Sequence, residues 1–143
     1  MWKIHKKIFK ETNPSNYDGT TILHVAARKG YLGIFEFIQR HLAEKNPSDN
    51  NGKTPLHIAA ELGHVEIAET IIDRVIDSNP RDIMKRTPLH YASMNGHLEI
   101  VILLIPVCTE MNTEDELGET PISYATIKGH YNIARTIATF MSE

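Results

Sequence analysis

Thr54-Pro55-Leu56-His57-Ile58-Ala59-Ala60-Glu61-Leu62-Gly63-His64 is the stretch that decides the architecture. Threonine is a good helix N-cap, and proline fits the first helical position, where its missing N–H costs nothing. Gly63 suits the left-handed conformation that stops a helix. The pattern predicts a helix over Pro55–Leu62. Beyond it, Ile67, Ala68, Ile71, Ile72, Val75 and Ile76 recur at spacings of three and four, which predicts a second, longer helix with one apolar face. Asn79-Pro80 ends the unit, and Asp49-Asn50-Asn51-Gly52 upstream of Thr54 is a turn cluster.

The unit repeats every 33 residues. Thr54-Pro55-Leu56-His57 returns as Thr87-Pro88-Leu89-His90, with Thr21-Ile22-Leu23-His24 before it and Thr120-Pro121-Ile122-Ser123 after it. The columns Gly30, Gly63, Gly96, Gly129 and Ile34, Ile67, Ile100, Ile133 keep the same step. So do Asn13, Asn46, Asn79, Asn112 and the acidic column Asp49, Asp82, Asp115, with Asn16 in the first copy. One turn-helix-turn-helix unit has too little core to fold alone, so the units must stack into a solenoid.

The Thr-Pro-Leu-His-x-Ala-Ala…Gly-His pattern, in four copies over residues 13 to about 140, resembles the ankyrin repeat family. The implied fold is an all-α repeat solenoid, an ankyrin-like stack of helix-turn-helix units joined by β-hairpin-like loops. It forms a single domain: 1–14 as an N-terminal helix or partial repeat, then repeats over 15–48, 49–81, 82–114 and 115–143. Some positions depart from the pattern. Ile22 replaces proline in repeat 1, and Lys85 replaces the turn glycine in repeat 3. Leu42, Val75, Cys108 and Met141 stand where the family usually has a glycine, so the second helices are expected to run longer. Pro106 should end or disturb the second helix of repeat 3. Trp2, Ile4, Ile8 and Phe9 are expected to cover the open end of repeat 1.

Composition excludes several functions. The 143 residues are 41% hydrophobic and 23% charged, with a formal net charge of −3. That balance lacks the cationic field nucleic-acid binding needs. A single cysteine, Cys108, excludes an intramolecular disulfide. The longest apolar run, Ile100 to Cys108, is far short of the ~20 residues of a membrane span. Lys3, Lys6, Lys7 and Lys10 are followed by no apolar signal segment. A soluble intracellular protein, cytoplasmic or nuclear, is expected, a monomer without membrane insertion.

No catalytic constellation emerges, so the sequence reads as no enzyme and calls for no cofactor. The histidine columns His24, His57, His90 and His64, His97, His130 suggest a metal. However, adjacent repeats pack ~8–10 Å apart, and zinc needs its nitrogens at about 2.0–2.1 Å. The Thr-Pro-Leu-His histidine instead ties its own threonine and a neighbouring hairpin. His64-Val65-Glu66 and His97-Leu98-Glu99 match H-x-E, but the cysteine pair of a zinc deaminase is missing. Cys108 reads as a small buried hydrophobe.

The resemblance implies a protein-protein interaction module that binds a protein partner through its concave face. An alternative is a regulatory or targeting segment of a larger enzyme, channel or transcriptional regulator. The concave face comprises hairpin tips and the exposed ends of the first helices. The tip positions are Tyr17, Asp18 and Thr20; Asn50, Asn51 and Lys53; Ile83, Met84 and Arg86; Glu116, Leu117 and Glu119. The helix positions are Arg28 and Lys29; Glu61 and Leu62; Met94 and Asn95; Ile127 and Lys128. Repeats 1 and 2 are mostly polar there. Repeats 3 and 4 present Ile83, Met84, Met94, Leu117 and Ile127, either as an apolar interaction patch or, if Lys85 refolds its tip, with Ile83 and Met84 tucked inward. The resemblance also marks Asn46, Asn79 and Asn112 as hairpin asparagines of the kind that intracellular hydroxylases modify. Their plain turn role is to hydrogen-bond the hairpin backbone.

Overall fold

A computed structural model describes residues 14–75 and 77–143. The expectations placed on Trp2, Ile4, Ile8, Phe9, Asn13, the N-terminal lysines and Ile76 lie outside these residues. The described chain forms four helix pairs: α1 (Ile22–Lys29) with α2 (Leu32–His41), α3 (Pro55–Leu62) with α4 (Val65–Ile72), α5 (Pro88–Asn95) with α6 (Leu98–Leu104), and α7 (Pro121–Ile127) with α8 (Tyr131–Met141). The first helices pack side by side along the stack, α1 on α3 on α5 on α7, and the second helices form the outer row.

Each first helix starts with the same device. Thr54 accepts the His57 amide, and the His57 ring accepts the Thr54 amide through Nδ1 at 3.1 Å. Thr21 with His24 and Thr87 with His90 repeat it, while Ser123 replaces the ring in repeat 4. With Nδ1 accepting, Nε2 carries the proton and donates to the next repeat. His24 reaches the Lys53 carbonyl at 2.8 Å, His57 the Arg86 carbonyl at 2.9 Å and His90 the Glu119 carbonyl at 3.2 Å. Burial pushes the His57 ring down to about 4 and lowers His24 and His90 as well, so these rings are neutral struts. Ser123 donates only to Thr120, which ends the ladder at repeat 4.

A second set of histidines runs the other way. His97 Nε2 meets the Glu61 carbonyl at 3.0 Å, and its ring lies over Gly63. Gly63 has φ +82°, and a Cβ there would come within 2.7 Å of that ring. Backbone conformation and close packing therefore demand the same residue.

The core is a set of columns. Leu23, Leu56 and Leu89 are buried, as are Ile67, Ile100 and Ile133 and, further along the outer helices, Ile38, Ile71, Leu104 and Ile137. Burying each side chain of this size is worth roughly 1.5–3 kcal/mol. The first repeat differs on its outward side. Ile34 is 53% exposed although Ile67, Ile100 and Ile133 in its column are buried, and Ile22, Val25 and Phe37 are exposed beside it.

Two expectations need correction. The second helices are not uniformly longer: α4 has 8 residues, like α3, and α6 has 7, whereas α2 and α8 have 10 and 11. In repeat 2 the β-branched run Thr70-Ile71-Ile72 is a weak helix former, and Val75 packs on the core from beyond the helix end. In repeat 3 the chain tightens into a 3-10 turn at Ile105–Val107, where the Pro106 ring cannot continue the α-helix. The asparagines, in turn, do not serve the hairpin. Asn46 accepts the Leu56 amide and Asn112 the Ile122 amide, each the second residue of a first helix. Because proline at the position before has no N–H, asparagine and threonine together satisfy the exposed amides of that helix start. Asn79 instead accepts from the Cys108 thiol at 3.6 Å.

Candidate binding surface

The hairpin tips share one turn. In repeat 2 the Asp49 amide donates to the Lys53 carbonyl, the Gly52 amide donates to the Asp49 carbonyl, and Asp49 Oδ1 accepts the Asn51 and Lys53 amides. Asp82 and Asp115 do the same in repeats 3 and 4. Lys85 does not refold its tip. It takes the glycine conformation itself, at φ 58°, and the hairpin keeps its hydrogen bonds.

Adjacent tips are joined amide to carbonyl: Asn50 to Asp18, Ile83 to Asn51 and Glu116 to Met84. They form one continuous row. The ends of the first helices face this row, since Lys53 Nζ on tip 2 meets Glu61 Oε2 on α3 at 2.7 Å.

The exposed members of the surface are Tyr17, Asp18, Arg28, Lys29, Asn50, Asn51, Leu62, Ile83, Asn95, Glu116, Leu117, Ile127 and Lys128; Lys53, Glu61, Met84, Arg86, Met94 and Glu119 are half-buried. Ile83, Leu117 and Ile127 are 61–65% exposed and Tyr17 is 95% exposed. Ile83 therefore points outward, while Met84 is partly covered. Several charged members are already engaged. Lys53 pairs with Glu61 and its ammonium lies 4.6 Å from the centre of the Tyr91 ring. Lys85 pairs with Glu116 at 2.9 Å.

Arg86 is held by a network the sequence reading missed. Its Nε donates to Asp115 Oδ2 at 3.1 Å, its guanidinium donates to the Tyr124 hydroxyl at 2.9 Å, and that hydroxyl donates to the same Asp115 oxygen at 2.6 Å. Burial alone would raise the Asp115 carboxyl. Hydrogen bonds from Tyr124, the Glu119 amide, Arg86 and the Leu117 amide outweigh it and hold the group at about 2. In repeat 3 the Tyr91 hydroxyl likewise donates to Asp82. The available signal was a tyrosine nine residues after each of these two aspartates, in a column that holds Val25 and Ile58 elsewhere.

Other features have structural explanations. Among the described residues, no three histidine, cysteine, aspartate or glutamate side chains lie close enough to hold a metal ion, and no helix is long and apolar enough to cross a membrane. Burial pushes the Cys108 thiol up to about 11, which leaves little thiolate. A concavity of about 600 Å³ at the far edge is lined in part by Lys45 and Arg74. Both donate to the buried Gln39, Lys45 to its carbonyl and Arg74 to its side chain, and so they brace the joint between repeats 1 and 2.

The chain matches the family described as ankyrin repeats (3 copies) over residues 3–82 and again over 74–141. It belongs to the ankyrin repeat family. Ankyrin repeats are in general protein-protein interaction modules, and the ankyrin fold is non-catalytic. The two overlapping matches run the length of the four helix pairs. No curated protein matches the chain.

Proposed function

We propose that this ankyrin stack is a non-catalytic interaction module that holds a protein partner against the row of hairpin tips and the facing ends of α1, α3, α5 and α7. One observation carries the reading. Ile83, Leu117 and Ile127 stand well exposed at the tips and first-helix end of repeats 3 and 4, although the leucine and isoleucine columns packed between the helices of these repeats are buried. Neighbouring apolar side chains left in water mark contact surfaces. The backbone beneath is fixed by tip-to-tip hydrogen bonds, so a partner meets a preformed surface and little ordering entropy is lost on binding. A standard interface needs ~800 Å² from each side, within reach of four repeats.

The test is affinity capture from cell lysate with the chain beside an Ile83→Glu, Leu117→Glu double variant shown to melt normally. A partner retained by the parent and lost by the variant supports the reading. Equal capture by both moves the site off repeats 3 and 4.

A further inference from the structure

The two ends of the inner surface differ in chemistry, and the difference specifies a kind of partner. The Lys53–Glu61 pair shows which helix position faces the tips. In repeat 1 that position is Arg28, followed by Lys29, and the tip residue opposite is Thr20 rather than a charge. Arg28 and Lys29 are exposed, and neither has an ion-pair partner among the described residues. The other tip cations are engaged, Lys53 by Glu61, Lys85 by Glu116 and Arg86 by Asp115. Asp18 shares the repeat 1 end, with Oδ1 taken by the Thr20 amide, which leaves the cations in excess there by one. Repeats 3 and 4 carry Ile83, Leu117 and Ile127, with Glu116, Glu119 and Lys128 around them.

We infer that the surface takes an extended peptide segment with carboxylate side chains at one end, over Arg28 and Lys29, and aliphatic side chains at the other, over Ile83, Leu117 and Ile127. This rests on the interaction-module reading above. The separation follows from the geometry. Each hairpin adds two strand spacings, roughly 10 Å per repeat, and the helix rows agree at ~8–10 Å. Two to three repeat steps span about 20–30 Å, and an extended chain covers this at about 3.3 Å per residue. Roughly six to nine residues therefore separate the two sets of contacts. A nucleic acid fits poorly, because a polyanion aligned along the groove meets Glu116 and Glu119.

The experiment pans a displayed library of random peptides, long enough to cross all four tips, on the chain. It uses in parallel an Arg28→Glu, Lys29→Glu variant and a Leu117→Glu, Ile127→Glu variant, each checked by circular dichroism and melting. The enriched peptides are then synthesised and titrated by fluorescence anisotropy. The expected result is a consensus with Asp or Glu separated from Leu, Ile or Val by that interval. Binding should weaken about tenfold in the charge-reversed variant and fall with added salt. Enriched peptides without an acidic position, or with equal affinity for the charge-reversed variant, overturn this inference and leave the interaction module standing. No enrichment, or enriched peptides that bind the Leu117→Glu, Ile127→Glu variant as well as the parent, also overturns the peptide inference, and the interaction module is then decided by the lysate capture alone.

Discussion

The hairpins of repeats 2 and 4 share one backbone turn and use their aspartates differently. Asp49 gives one oxygen to two backbone amides, and the first-helix position in its repeat is the aliphatic Ile58. Asp115 makes the same two bonds and then spends its second oxygen on Tyr124 and Arg86, reaching back to repeat 3. At this position one seam has a buried aliphatic side chain, the other a charged network. Apolar contact tolerates small shifts, whereas a network with every donor aimed at one carboxylate fixes direction and fails when one member is lost. The same fold therefore contains a forgiving joint and an exacting one.

The largest expected effect tests this contrast directly. Asp115→Ala leaves Arg86 without its buried partner and should cost about 3–5 kcal/mol, against about 1–2 kcal/mol for Asp49→Ala. Urea unfolding of both variants measures the difference, and equal losses would erase it.

Acid should separate two processes. The folded-state value of His57 is depressed to about 4 by burial, so the unfolded chain binds the extra proton first. Stability is full above about 6.5, the ordinary histidine value, and falls as pH drops towards 4, by roughly 3 kcal/mol from this ring at most. The lowered His24 and His90 add in the same direction. Asp115 is depressed too, but as an acid: its contribution is present above its ordinary value of 3.8 and is lost as pH falls through about 2. Melting temperature should therefore decline between pH 7 and 5 in the parent and less steeply in His57→Gln. A flat profile in the parent would contradict the neutral-strut reading.

Tyr124→Phe removes one of the four donors to Asp115 and should cost about 1 kcal/mol; a melt unchanged from the parent would mean the phenol adds nothing to the seam. The smallest change is at the tip of repeat 3. Lys85→Gly relieves the left-handed backbone but gives up the exposed pair with Glu116, so a gain of no more than about 1 kcal/mol is expected. A loss in thermal melting would show that the pair outweighs the backbone strain.

The repeat, the caps and the helix stops were legible because each is written in one or two residues whose backbone preference is strong: Thr54 before Pro55, Gly63 after Leu62, Pro106 just past α6. The neighbour-directed histidines were legible through the repeat, since a column that recurs every 33 residues meets its own next copy. What escaped depends on distances that only the fold sets. Val75 joins the core from beyond the end of α4, and the Arg86–Asp115–Tyr124 network joins residues 29 and 38 apart. The exposed positions of the inner surface follow from the register, but whether Ile83 points out depended on Lys85 accepting a positive φ, which the sequence reading left open.

The hydrogen bonds between repeats have a mechanical consequence. Among the described residues, each joins a repeat only to its neighbour: His57 to Arg86, His97 to Glu61, Ile83 to Asn51. No such bond spans two joints, so load applied at the ends passes through every joint in series. A pulled molecule yields first at its weakest joint and lengthens in steps of one helix pair, as a chain of links does, while the remaining links keep their shape.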